Sequence, residues 1–420
     1  MAYFCLVNPH LIVIGGGAAG IFCAVNAARL SPGLKVAVIE KSSKLLSKVK
    51  VSGGGRCNVT HHNFDPDSFS QQYPRGSRFI RKAFYQFFAT DTIQWFEERG
   101  VKMHAEADGR MFPTTNNSQT IIDCLLKEAE KYGVQFLMHT EVKEMAHHQQ
   151  WQLTLKSDQV LHADFVCIAT GGSNKKEGYD WLANVQHTII EPVPSLFTFQ
   201  LPDHPIRLLM GVSVKKATVK IQGEKLKESG PLLITHWGFS GPVILRLSAW
   251  GARLLHDKNY QFTILVNWLD DMKEDAFKLF MQQQRKDHGA KRIYTSCPFE
   301  FPARLWAYFL NASGIEELQR WADISQKQQQ ALMQQLIACE YHVSGKTTFK
   351  EEFVTAGGIN LQQINPATME SKLQKGLYFA GEVMDVDGIT GGFNFQHAWS
   401  SGMIVAQSVG DMINKIKTQP

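Results

Sequence analysis

The sequence has no Cys-x-x-Cys pair, and its seven cysteines are odd in number. Both facts argue against a disulfide scaffold or a clustered zinc site and point to a reducing, cytoplasmic setting. No Gly-x-Ser-x-Gly elbow occurs, so serine nucleophile chemistry of the hydrolase type finds no support. A Cys-x4-Cys redox pair is absent too, which speaks against disulfide reductases. There is no internal repeat, low-complexity tract or flexible linker. One long apolar run, Leu11 to Leu30, is about the length of a membrane span. It holds Gly15, Gly16, Gly17 and Gly20, no Lys or Arg precedes it, and neither a basic n-region nor a cleavage site is present. The run therefore reads as a buried strand entering a buried helix, with no membrane insertion.

What is present suits a folded chain. At 44% hydrophobic and 20% charged, 420 residues should make two or three domains of about 150 residues each. The net charge of +5 is concentrated in one place: Lys41 to Lys82 carries nine Lys or Arg against only Asp65 and Asp67. A basic segment of this kind suits an anionic partner, a cofactor pyrophosphate or a nucleic acid. Within it Tyr73, Arg75, Arg78, Arg81 and Tyr85 interleave aromatics with cations, as a nucleic-acid surface does.

The order of periodicities is α/β. Leu11–Ile14 and Lys35–Glu40 read as strands around a helix over 18–30, and helical spacing follows over 79–99 and 118–132. Strands are expected at 134–139, 151–155 and 165–169. From about Pro192 the texture turns to β segments over 212–221, 226–235 and 261–266, then to a Gln-rich helical stretch over 268–341, interrupted at 297–302. Strand, loop and helix return after Thr348, with a strand at 376–380 and a helix over 398–416. The expected division is a nucleotide-binding domain over 1–191 and 357–420. It is interrupted by a β module over 192–267 that returns at 343–356 and carries a helical part over 268–342, whose nine basic and ten acidic residues nearly balance.

Gly15-x-Gly17-x-x-Gly20 follows a strand and opens a helix, and Glu40 ends the second strand. In such a motif the first glycine makes the turn and the second lets the backbone approach a pyrophosphate. The third packs helix on strand, and the acid binds a ribose. Ala169-Thr170-Gly171-Gly172 after a strand and Gly381-Glu382 after 377–380 resemble the further FAD fingerprints of two-dinucleotide-binding flavoproteins, and no second Gly-x-Gly-x-x-Gly exists. FAD is the expected cofactor. Gly391-Gly392 before an apolar helix would let backbone N–H groups face the negative edge of a reduced flavin.

Three segments carry a family resemblance. Ser52–Thr60 (SGGGRCNVT), Gly238–Pro242 (GFSGP) and Gly381–Gln396 are similar to BaiN/RdsA-type flavoproteins, the YhiN-like group, with Phe239 in place of a smaller aliphatic residue. The resemblance implies a Rossmann-like FAD-binding domain built from both termini, with an inserted β-barrel-like domain carrying a helical subdomain. It implies FAD contacts at Gly15, Gly17, Ala18, Ala19, Gly20, Glu40 and Lys41. Further contacts would come from Gly54, Gly55, Arg56, Cys57 and Asn58, from Val142 near the adenine, and from Ala169, Thr170, Gly171, Glu382, Asn394 and Phe395. The activities it implies diverge: reduction of a uridine of large-subunit ribosomal RNA to dihydrouridine, reduction of conjugated enones in bile-acid metabolism, or oxidation of a small aminoketone.

The reductive branches add a hydride and then a proton, with NADPH or NADH visiting transiently as reductant. Cys57 beside Arg56 is one candidate acid, because a neighbouring cation lowers a thiol pKa. His397 at the start of the last helix is another. So is His236, which precedes a Ser240 cap and a Pro242 start for the helix running towards Leu255. His61, His62 and Asp65 are too sparse a set for a metal, and no metal is expected. The leading reading is a flavoprotein reductase acting on ribosomal RNA through the Lys41–Lys82 segment, and the alternatives are a small-molecule flavoenzyme or a non-catalytic flavin binder.

Overall fold

A computed structural model describes residues 10–173, 175–347 and 354–418. The chain divides into two compact units: Met1–Pro194 with Phe349–Pro420, and Ser195–Thr348. Of the expected β return over 343–356, residues 348–353 lie outside the described residues.

The first unit is built on a five-stranded parallel sheet. Its order is Leu377–Phe379, Phe165–Ile168, His10–Ile14, Lys35–Glu40, Gln135–Met138. Ile14 stands opposite both Ile39 and Ile168, so the strand carrying the glycine motif is central. Parallel strands covered on both faces must be apolar throughout, and Leu11 to Ile14 and Phe165 to Ile168 are all buried. The Ala18–Leu30 helix packs along the C-terminal helix, Phe393–Thr418. Gly402 makes the close approach possible: a Cβ there would stand 2.7 Å from the Ala19 carbonyl oxygen. Phe22 anchors this contact among Trp95 and Trp399, at centroid distances of 4.7 and 5.2 Å. Asn26 is fully buried and satisfied, donating to the Phe22 carbonyl and accepting from the Trp95 indole. Among the described residues no helix is long and apolar enough to cross a membrane.

The helical spacing over 79–99 resolves into two helices, Ser77–Phe84 and Ala89–Glu97. No glycine or proline divides them. The second helix starts afresh because the Asp91 carboxylate accepts the Phe88 backbone N–H at 2.7 Å.

The second unit holds a seven-stranded sheet in which every assigned pairing is antiparallel. Its two outermost strands, Cys339–Ser344 and Lys346–Thr347, are separated in the chain only by Gly345. Gly345 donates to the Tyr260 carbonyl and accepts from the Gln200 N–H, so the sheet curls back on itself like a barrel. The stretch over 268–341 carries the helices Glu274–His288, Ala303–Ala312 and Gln326–Ile337. It ends in the Cys339–Ser344 strand rather than in helix. The helices share one apolar cluster with the sheet, centred on Trp268, Trp306, Phe309 and Trp321.

Candidate functional site

The Gly15–Gly20 turn divides by space. Gly15 has φ +117° and donates its N–H to the Ile39 carbonyl, and a Cβ there would lie 2.4 Å from the Ala169 oxygen. At Gly20 a Cβ would lie 2.0 Å from the Gly15 oxygen, whereas at Gly17 it would meet nothing within 4 Å. Two glycines are thus forced by backbone packing, and the third borders open space at the start of the Ala18–Leu30 helix. Gly54 and Gly55 also face open space, both at positive φ. This is what a dinucleotide pyrophosphate requires: backbone N–H groups at a helix start with no side chain in front of them.

Glu40 lies under the turn, and both its carboxylate oxygens are engaged at 2.8 Å, one by the Gly16 N–H and the other by the Ser42 N–H. Each oxygen keeps a second lone pair for a ligand hydroxyl. Lys41 is exposed beside it. Val142 is buried at the head of its strand, two residues beyond Thr140, whose N–H bonds the Glu40 carbonyl.

Gly171 and Gly172 lie against Glu382, whose carboxylate accepts from the Thr355 N–H at 2.8 Å and pairs with Lys48 at 2.6 Å. Thr170 is exposed beside them. Gly381 meets Ala19, with a Cβ there only 2.8 Å from the Ala19 Cβ, and donates to the Ser401 hydroxyl. The structure therefore gathers the 15–20, 40, 169–172 and 381–382 positions around one end of the parallel sheet.

A second junction joins the glycine-rich segment to the C-terminal helix. With its amide oriented to satisfy both neighbours, Asn58 donates to the Thr60 carbonyl and accepts from the Gly392 N–H at 2.9 Å. The Val59 carbonyl accepts from the Trp399 indole, the Thr60 hydroxyl donates to Gln396 at 2.7 Å, and His61 Nδ1 faces the Gly391 carbonyl at 3.0 Å. Four consecutive residues, 58 to 61, thus each hold one residue of 391–399.

The expected role of the Gly392 N–H needs correction here, and Asn394 and Phe395 have contacts within the chain. The Gly392 N–H is engaged by Asn58 and is not free to face a flavin edge. Asn394 spends its amide on both backbone groups of Gly388, at 2.8 and 2.9 Å. Phe395 stacks on Trp399, 5.8 Å between centroids.

The expected acidification of Cys57 is overturned. Arg56 turns to Glu106 at 2.6 Å and stacks on Phe112 at 4.0 Å, while the Cys57 side chain is buried, and burial pushes its thiol up to about 12. A thiol held there is a poor acid at neutral pH. His397 is also fully buried, and burial pushes its imidazole down to about 4, so it is neutral. Its Nε2 donates to the Gly381 carbonyl at 3.1 Å, and its buried Nδ1 has no partner among the described residues. His236 lies in the second unit, exposed, with its ring 4.1 Å from that of Trp237. The Ser240 cap does not form, since Ser240 ends a strand and Gly241, at φ +95°, is the residue before the Pro242–Trp250 helix.

His61, set aside above as too sparse a metal ligand, belongs to this same junction. It is half-buried, stacked on Phe393 at 4.8 Å, and wedged between Gly391 and Gly109. Burial holds its pKa below the ordinary histidine value. The available signal was its place immediately after the glycine-rich segment.

The basic segment also splits. Tyr73 is buried, its hydroxyl donating to the Phe393 carbonyl, and Arg75 forms a bidentate pair with the fully buried Asp387. These two are structural, not surface contacts. Lys41, Lys44, Arg78, Arg81 and Lys82 are exposed, with Arg81 near Asp67 at 3.4 Å.

Sheet order, glycine turn and carboxylate together define a Rossmann-type fold of the FAD-binding class. More particularly, the chain belongs to the HI0933-like family: the model described as the HI0933-like protein Rossmann domain matches residues 9–408. An Escherichia coli K12 protein named ribosomal RNA dihydrouridine synthase is 31% identical, over 95% of this chain and 97% of its own. A Clostridium scindens protein named 3-dehydro-bile acid delta(4,6)-reductase is 25% identical, over 95% and 98%. Among solved structures, a flavocytochrome c3 fumarate reductase has the same fold, with TM-score 0.50 and 16% identity over 98% of this chain and 79% of that one.

Proposed function

We propose that this chain is an FAD-dependent reductase that saturates the C5=C6 bond of a uridine in large-subunit ribosomal RNA, giving dihydrouridine. The observation that carries this reading is the end-to-end likeness to a relative named for that reaction. Bound FAD, reduced by NADPH or NADH, supplies the hydride.

The chain's own part is to bind and to orient. Gly17, Gly54 and Gly55 leave room for the pyrophosphate, and the Ala18–Leu30 helix start offers it N–H groups. Glu40 takes a ribose hydroxyl on its remaining lone pairs, and Glu382 with Lys48 borders the Gly171 side of the same space. His61 positions the Gly391 loop by donating Nδ1–H to its carbonyl, which leaves Nε2 as an acceptor. Lys41, Lys44, Arg78 and Lys82 are exposed cations of the basic segment through which RNA phosphates would be met.

The test is dihydrouridine in large-subunit ribosomal RNA from cells with and without the gene. Loss on deletion, restored by the intact gene but not by Gly17→Asp, supports the reading, and an unchanged level refutes it. The bile-acid reductase likeness supports a second reading, a small-molecule enone reductase on the same flavin site. That reading expects flavin reoxidation by enones and binding that is nearly independent of salt, because neutral substrates release few counterions.

A further inference from the structure

The near balance of charge over 268–341 hides a separation in space. On the Glu274–His288 helix the acids Glu274 and Asp275 occupy the first turn, and Arg285, Lys286 and His288 share the last with one acid, Asp287, which accepts from the Gln283 amide. Lys291 and Arg292 follow, and Arg292 faces Arg320 across an isolated antiparallel bridge. Here a cleft of about 630 Å³ opens, lined by Gln284, His288, Lys291, Arg292, Thr295 and Ser296 among others.

The walls of the cleft are fixed. Lys291 donates its N–H to the His288 carbonyl at 2.8 Å, and its own carbonyl accepts from the Trp321 N–H. The Ser296 hydroxyl donates to the Arg292 carbonyl at 2.5 Å while accepting from the Trp321 indole at 2.9 Å. The side chains of Lys286, Lys291, Arg292 and Arg320 have no carboxylate partner among the described residues, although Lys273 and Lys278 at the other end of the helix are both paired. A helix C-terminus alone accounts for bases in its last turn. It does not account for Lys291, Arg292 and Arg320, which lie beyond the helix.

Resting on the RNA reading above, we propose that this cleft is a second RNA contact, with backbone phosphates on Lys291 and Arg292. The test uses the full-length FAD-loaded protein and a transcribed fragment of large-subunit ribosomal RNA. Lys291→Gln with Arg292→Gln should lower the slope of log affinity against log salt by about 1.4, at about 0.7 per single-strand phosphate contact. Lys273→Gln with Lys278→Gln should leave the slope unchanged. An unchanged slope for the 291/292 variant, while wild type binds RNA, overturns the cleft and spares the substrate. Absence of salt-dependent RNA binding by wild type overturns the RNA reading, and the cleft proposal with it.

Discussion

Gly17 and Gly20 sit three residues apart in one turn, yet a side chain meets opposite conditions at the two. Gly17 is the residue before the helix, extended at φ −86° and ψ −171°, with open space ahead and no side-chain cap. Aspartate is a favoured residue at that position, so Gly17→Asp should keep or slightly raise the stability of the apoprotein while its charge repels the pyrophosphate. The expected outcome is a normal urea midpoint with loss of bound flavin absorbance. Gly20→Ala should do the reverse, costing about 2 kcal/mol or more, because its Cβ would sit 2.0 Å from the Gly15 oxygen. His397 makes a third case. Its folded pKa is about 4 against 6.5 unfolded, so the unfolded chain takes up the proton first as pH falls. Stability from this residue is complete above pH 6.5 and declines towards pH 4 by about 3 kcal/mol. Urea midpoints at pH 7.5 and 4.5 should therefore lie further apart in wild type than in His397→Gln, and equal spacing would refute the assignment.

At the scale of elements, spans were readable wherever one local pattern decided them. The continuous apolar strands, and the glycine turn between strand and helix, need only neighbours in sequence. Partners far along the chain were not readable. Cys57 is next to Arg56 in the chain, but the guanidinium goes to Glu106, and only the fold shows that. The interplay of residues 58–61 with 391–399 was likewise hidden, since hydroxyl, amide and imidazole groups carry no mark of their distant partners. Arg75 illustrates the same limit inside the basic segment: its composition suggests a surface, whereas its side chain is bound to the buried Asp387. Removing one member of a buried pair is expensive, so Arg75→Gln should destabilise by about 3 kcal/mol. Arg78→Gln, on an exposed side chain, should leave the urea midpoint within about 0.5 kcal/mol of wild type and reduce only the salt dependence of RNA binding. Equal midpoints for the two variants would mean the pair contributes nothing.

At the scale of the whole molecule the two units differ in how the chain builds them. The first is assembled from two distant segments, and its sheet places Leu377–Phe379 beside Phe165–Ile168, so neither segment can complete it alone. The second is contiguous. Its apolar cluster runs from Phe197 to Val343 and, among the described residues, draws on none outside that stretch. A segment of this length with its own sheet, helices and buried tryptophans meets the requirements for independent folding. A fragment spanning residues 195–347 should therefore unfold cooperatively in urea, with loss of tryptophan fluorescence and of circular dichroism coinciding, and it should bind no flavin. Non-coincident transitions would show that the cluster is not self-sufficient. Residues 10–194 alone should fail the same test, because the parallel sheet then lacks its last strand and the Ala18–Leu30 helix loses the C-terminal helix that Gly402 lets approach.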